Sequence, residues 1–137
     1  MAHILVIEDN PANMKLALLL LGHAGHVASC AVDAETGMTM ARQTQPDLIL
    51  MDIQLPGIDG LEATALLKQD PSTASIPVIA LTALAMKADQ ERSQMAGCDA
   101  YIAKPLRYHE LYAAIGTLLE CKEALRAANA ANIGDPS

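Results

Sequence analysis

The sequence contains no tryptophan and no phenylalanine, and only three tyrosines among its 137 residues. A core without these large aromatics must be filled by Leu, Ile, Val, Met and Ala. Hydrophobic residues make up 52 % of the chain and charged residues 18 %, which describes a globular rather than a disordered chain. Basic residues are scarce. Nine Lys and Arg stand against 16 Asp and Glu, for a net charge of −7. No basic stripe is present to follow a phosphate backbone, so no nucleic-acid partner is expected. The three cysteines, Cys30, Cys98 and Cys121, are odd in number and far apart. They form neither a disulfide framework nor a zinc site, and are expected to be buried free thiols in a reducing compartment. Long apolar runs are missing too. Asn10 and Pro11 interrupt the first one after a few residues, so no signal peptide is read. Leu16 to Leu21 is too short, and too closely flanked by Gly22 and Gly25, to span a bilayer. The expectation is a cytoplasmic protein with no membrane partner.

What is present is regular alternation. Short apolar runs at about 4–7, 27–32, 48–51, 78–81 and 100–103 read as strands, separated by stretches of helical length and period. Asn10 sits where a first helix would be capped, Pro11 suits its first position, and Gly22 and Gly25 end it. A second helix spans about Ala34 to Thr44, with Asp33 as its cap and Pro46 forbidding continuation. A third covers Leu61 to Gln69, a fourth Lys87 to Met95, and a fifth runs from Arg107 through Glu120. In the fifth, Tyr108, Leu111, Tyr112, Ile115, Leu118 and Leu119 recur as one apolar stripe. Strict strand–helix alternation predicts an α/β fold with a parallel sheet covered on both faces. One domain over 1–128 and a flexible tail over 129–137 are expected.

Four of the apolar runs end in chemistry: Glu8-Asp9, Asp52, Thr82 and Lys104-Pro105. Each of these runs reads as a fully buried strand. In a parallel sheet, groups at the carboxyl ends of strands gather along one edge, where ligands bind. The spacing therefore predicts one pocket with three carboxylates, a hydroxyl and an ammonium. Any one of these residues alone is an ordinary strand-end or turn residue. Together they suit a hard divalent cation and a phosphoryl group. An Asp beside such a metal can act as a nucleophile and form an acyl phosphate.

Four segments carry a family resemblance: Ile4-Leu5-Val6-Ile7-Glu8-Asp9-Asn10, Leu50-Met51-Asp52-Ile53-Gln54-Leu55-Pro56-Gly57-Ile58-Asp59-Gly60, Pro77-Val78-Ile79-Ala80-Leu81-Thr82-Ala83 and Gly97-Cys98-Asp99-Ala100-Tyr101-Ile102-Ala103-Lys104-Pro105. In this order, over about residues 3–120, the chain resembles the CheY-like receiver domain of two-component response regulators. Gln54-Leu55-Pro56 and Ala85-Met86-Lys87 are further similar to single-domain members. The resemblance implies a flavodoxin-like, doubly wound (βα)5 fold with strand order 2-1-3-4-5. It makes Asp52 the phosphoacceptor. Mg²⁺, with Mn²⁺ as an alternative, would take Asp9 and Asp52 directly, Glu8 through water and Gln54 through its backbone carbonyl. Lys104 would contact the phosphoryl group, and the Lys104–Pro105 peptide would be cis. Thr82 and Tyr101 would form the switch pair. Glu8 departs from the commoner Asp, and the extra methylene bears on metal geometry.

The function implied is a stand-alone signalling switch rather than an enzyme, with autophosphorylation and autodephosphorylation as side activities. A histidine kinase or histidine phosphotransfer protein would donate, and a downstream protein would read the output. The chain would be a monomer or a weak homodimer. Readings left open are a receiver fragment of a hybrid histidine kinase or larger regulator, an aspartyl-phosphate phosphatase, and a pseudo-receiver that is not phosphorylated. The phosphatase reading wants a second acid two residues after Asp52, where Gln54 stands. Asp9, Asp52, Thr82 and Lys104 together disfavour the pseudo-receiver. His23 and His26 are expected in an exposed loop and His109 on an exposed helix face. Met86 and Met95 read as packing residues, and Gly57 and Gly60 as loop formers. Leu16 and Leu18 to Leu21 cover more than a helical turn, so some of them must be exposed.

Overall fold

In the computed structural model, the described residues are 2–82, 96–104 and 106–120. They form five parallel strands: β1 (His3–Ile7), β2 (Val27–Ala31), β3 (Leu48–Asp52), β4 (Val78–Thr82) and β5 (Ala100–Ala103). The sheet order is β2-β1-β3-β4-β5, a doubly wound, flavodoxin-like arrangement. Helices α1 (Pro11–His23), α2 (Ala34–Thr44) and α3 (Gly60–Gln69) precede a further helix over 108–120. The expected fourth helix, with Ala85, Met86, Lys87 and Met95, lies outside the described residues. So do Pro105, Cys121, the boundary at 128 and the tail.

Side chains that alternate along each strand enter two separate cores. Leu5, Ile7, Ile49, Met51 and Val78 pack with Ala34, Met38 and Ala41 of α2 and Ala63 and Leu67 of α3. Ile4, Val6, Leu48, Leu50, Ile79, Leu81 and Ile102 pack on the other face with Ala17, Leu21, Leu111 and Ile115. Each fully buried Leu or Ile contributes roughly 1.5–3 kcal/mol. Aliphatic side chains thus do what aromatics do in other cores. α1 is tied to the helix over 108–120 by a 2.8 Å hydrogen bond that the Tyr112 hydroxyl donates to the Leu20 carbonyl.

The helices start where their caps dictate. Asn10 Oδ1 accepts from the Ala12 and Asn13 backbone N–H groups at 2.9 and 3.1 Å. Asp33 and Asp59 cap α2 and α3 in the same way, at 2.7 and 2.9 Å. α2 ends in Gln45, a non-glycine residue at φ 48°, whose side-chain amide donates to the carbonyls of Ala41 and Arg42. At the amino-terminal edge of the sheet, Asp99 Oδ2 accepts from the Val78 N–H at 2.8 Å and lies 3.0 Å from Lys68 Nζ. Lys68 also donates to the Ile76 carbonyl at 2.8 Å.

Several expectations need correction. β1, β3 and β4 are buried, but β5 is largely half-buried because it is an edge strand with one strand neighbour. Cys30 is exposed on the opposite edge strand, β2, and Cys98 is half-buried; both are free thiols. His26 is half-buried rather than loop-exposed, its Nδ1 accepting from the Ala2 N–H at 3.2 Å. Tyr108 leaves the apolar stripe and is 52 % exposed, its ring lying 3.8 Å from that of His109. The exposed leucine expected on α1 is Leu19.

Candidate functional site

The carboxyl ends of β1, β3, β4 and β5 bring Glu8, Asp52, Thr82 and Lys104 to one edge of the sheet. Glu8 follows β1, and its N–H donates to the Ala31 carbonyl at 3.0 Å, extending the pairing with β2 by one residue. Its side chain is 2 % exposed. Oε1 accepts from the Asn10 backbone N–H at 3.1 Å. Oε2 lies 2.9 Å from Lys104 Nζ, an ion pair by distance. The angles there fall outside those of a hydrogen bond, and Oε2 finds no donor among the described residues. Charge attraction depends on separation, so the ion pair stands while the buried lone pairs lack a directed donor.

Asp52, the last residue of β3, is 3 % exposed. Its Oδ1 accepts from the Gln54 N–H at 3.1 Å, and its Oδ2 lies 3.1 Å from Lys104 Nζ. Burial, then the hydrogen bonding and charge of Glu8, push the Asp52 carboxyl up to about 6, against the opposing pull of Lys104. Burial alone would lower the Lys104 ammonium, but pairing with Glu8 and Asp52 outweighs it and holds the group above its ordinary value. Gly60 opens α3 so close to β3 that a Cβ there would strike the Asp52 carbonyl oxygen and come within 2.9 Å of Ile53 Cα.

Asp9 is exposed, yet it contributes to a cluster in which Glu8, Asp9 and Asp52 each offer a carboxylate oxygen, all within 4.8 Å of one another. The cluster fits a hard divalent cation, because the donors are all oxygens and buried Glu8 Oε2 lacks a directed partner. Thr82 ends β4, is 3 % exposed, and its carbonyl accepts from the Lys104 N–H at 2.6 Å. Gln54 is exposed beside Asp52. Tyr101 is half-buried on β5 against the cluster of Ile53, Leu61 and Ala80.

The geometry thus joins Glu8, Asp9, Asp52 and Lys104 and sets Thr82 at the neighbouring strand end. Sequence reasoning missed the Glu8–Lys104 pair and the Asn10 N–H that orients Glu8. Asn10 was legible as a helix cap, but nothing in its spacing from Glu8 signals the second contact.

The sequence matches the response regulator receiver domain family over residues 4–116. The chain belongs to that family. It is 48 % identical over 103 residues to the polar-differentiation response regulator DivK of Brucella anthropi, covering 75 % of this chain and 84 % of that protein. Among solved structures it is similar to the receiver domain of a sensor histidine kinase from Pseudomonas aeruginosa. The two share 33 % identity at a TM-score of 0.81, over 87 % of this chain and 98 % of that one. That structure holds a magnesium ion coordinated in its active-site cleft. A response regulator from Chloroflexus aurantiacus aligns at TM-score 0.84 with 28 % identity, over 87 % and 98 % of the two chains. As a receiver domain this chain is a signalling domain rather than an enzyme of the ordinary kind. None of its described helices is long and apolar enough to cross a membrane.

Proposed function

We propose that the chain is a stand-alone, cytoplasmic two-component response regulator that accepts a phosphoryl group on Asp52. The observation that carries this reading is the buried Asp52 carboxylate, paired with Lys104 and clustered with Glu8 and Asp9. A histidine kinase or phosphotransfer protein is the donor. An Asp52 carboxylate oxygen forms the new P–O bond as the donor's P–N bond breaks, and the imidazole left behind takes up a proton. Lys104 offsets charge on the phosphoryl oxygens, and the Thr82 hydroxyl donates to one of them while Tyr101 turns inward. Asp9, Asp52 and the Gln54 carbonyl would hold Mg²⁺ or Mn²⁺, with Glu8 reaching it through water. The cation, when bound, neutralises charge on the transferring group. Output is by protein contact.

The span of 84 % of the DivK protein supports the stand-alone reading. Likeness to a sensor-kinase receiver supports the second reading, a receiver forming part of a hybrid kinase or larger regulator. Incubation with acetyl phosphate and Mg²⁺, followed by peptide mass spectrometry, tests the reading. One added phosphoryl group on the peptide containing Asp52 is expected, and its absence overturns the proposal.

Asp9→Ala is expected to weaken Mg²⁺ binding by about tenfold or more, equivalent to about 1.4 kcal/mol. Calorimetric titration measures this, and unchanged affinity removes Asp9 from the ligand set. Lys104→Ala is expected to keep Mg²⁺ binding but lose the response to a phosphoryl mimic. If its NMR shift changes with beryllofluoride match those of the unmodified chain, Lys104 has no part in the switch.

A further inference from the structure

One contact in the pocket has no part in the roles above. Glu8 leaves β1 and Lys104 leaves β5, with β3 and β4 lying between them. Neighbouring strands lie about 4.8 Å apart, so three spacings, about 14 Å, separate the two strands. The Lys104 stem leans across that gap to bring Nζ within 2.9 Å of Glu8 Oε2 and 3.1 Å of Asp52 Oδ2.

Glu8 is poised for this contact. Its backbone N–H is bonded to the Ala31 carbonyl, and Oε1 is held by the Asn10 N–H. Oε2 is the atom left to face Lys104, and it is buried without a directed donor. An aspartate at this position would keep the backbone bond but draw its carboxylate back from Lys104 by one methylene.

We propose that Glu8 is a tether for Lys104. In the metal-free protein Glu8 and Asp52 share the ammonium, and a divalent cation competes with that ammonium for the Glu8 carboxylate. The competition is electrostatic: a doubly charged ion entering among three carboxylates draws their oxygens toward itself and repels the Lys104 charge. A carboxylate oxygen without a directed hydrogen bond exchanges its partner at little loss. The identity of residue 8 then sets how far Lys104 is free before metal arrives. The metal half of this inference rests on the proposed Mg²⁺-dependent function; the tether itself does not.

Acetylation by N-hydroxysuccinimide acetate, read by peptide mass spectrometry, tests both halves. Lys15, exposed on α1, is the internal standard. With EDTA present, Lys104 is expected to react many-fold more slowly than Lys15. Glu8→Asp is expected to speed Lys104 several-fold, and Glu8→Gln, which keeps the length but not the charge, to do the same. Mg²⁺ is expected to speed Lys104 in the unmodified chain and to have little effect in Glu8→Asp. Equal Lys104 rates in EDTA for the unmodified chain and both variants overturn the tether. Calorimetry separates the remainder. If Mg²⁺ binds without changing the Lys104 rate, the competition is wrong. If Mg²⁺ does not bind, the metal reading of the proposed function fails, while the comparison in EDTA still decides the tether.

Discussion

Asp52→Asn is expected to abolish phosphoryl uptake from acetyl phosphate and, without metal, to make the fold more stable at neutral pH. The first effect follows from losing the nucleophilic carboxylate. The second follows from what folding costs that carboxylate. Its pKa rises from 3.8 to about 6 on folding, because it is buried beside Glu8. Between these values the folded chain holds a proton that the unfolded chain has lost. Stability from this group therefore falls as pH rises through the window, and above about pH 6 the full cost is present. Two units correspond to about 3 kcal/mol. The attraction of Lys104 is already contained in that value, so the gain for Asn is on the order of 1–3 kcal/mol. Urea titrations in EDTA at pH 5 and pH 7.5, followed by circular dichroism since there is no tryptophan, measure it. The advantage of the variant should be larger at pH 7.5. An equal or smaller advantage there would mean that Asp52 carries no such cost.

Gly60→Ala is expected to destabilise the fold by about 3 kcal/mol and to impair phosphoryl acceptance as well. The added methyl would collide with the Asp52 carbonyl oxygen and crowd Ile53 Cα, which are backbone atoms at and just past the end of a central strand and cannot swing aside. Relief requires α3 to lift from β3. The N–H of Gly60 donates to the Ile53 carbonyl at 2.9 Å, so that lift also strains the segment next to Asp52. A midpoint shift in urea, together with slower acetyl phosphate labelling, checks the prediction. Gly57→Ala is the useful contrast. Its Cβ would meet nothing within 4 Å, so its cost comes from φ +77° alone. If the two variants labelled alike, close packing against Asp52 would have no functional weight.

The buried strands were legible because four apolar residues in a row, followed by an acid or Thr, leave few alternatives for β1, β3 and β4. Caps were legible for the same local reason: Asn10 and Asp33 stand where their side chains meet free backbone N–H groups. The edge character of β2 and β5 followed only from the strand order that the resemblance implies, not from the apolar runs themselves. An edge differs from the interior by which strand lies beside it, and Val27 or Tyr101 carries no mark of that. The exposure of Cys30 has the same origin. The gathering of Glu8, Asp9, Asp52 and Lys104 could be inferred from strand ends, since topology alone sends them to one edge. The reach of Lys104 across two strands to Glu8 could not, because it depends on side-chain length and on Asn10 fixing one carboxylate oxygen.

The Lys68–Asp99 contact gives the sheet a mechanical asymmetry. Asp99 binds the N–H of Val78, and its own N–H returns a hydrogen bond to the Val78 carbonyl at 2.8 Å. Lys68 staples this pair of strands to α3 at their starting ends. The far ends carry Thr82 and Lys104. β4 and β5 are thus built like a cantilever, clamped at one end and loaded at the other. A load applied at the tip deflects the tip most, and the clamped root stays in register.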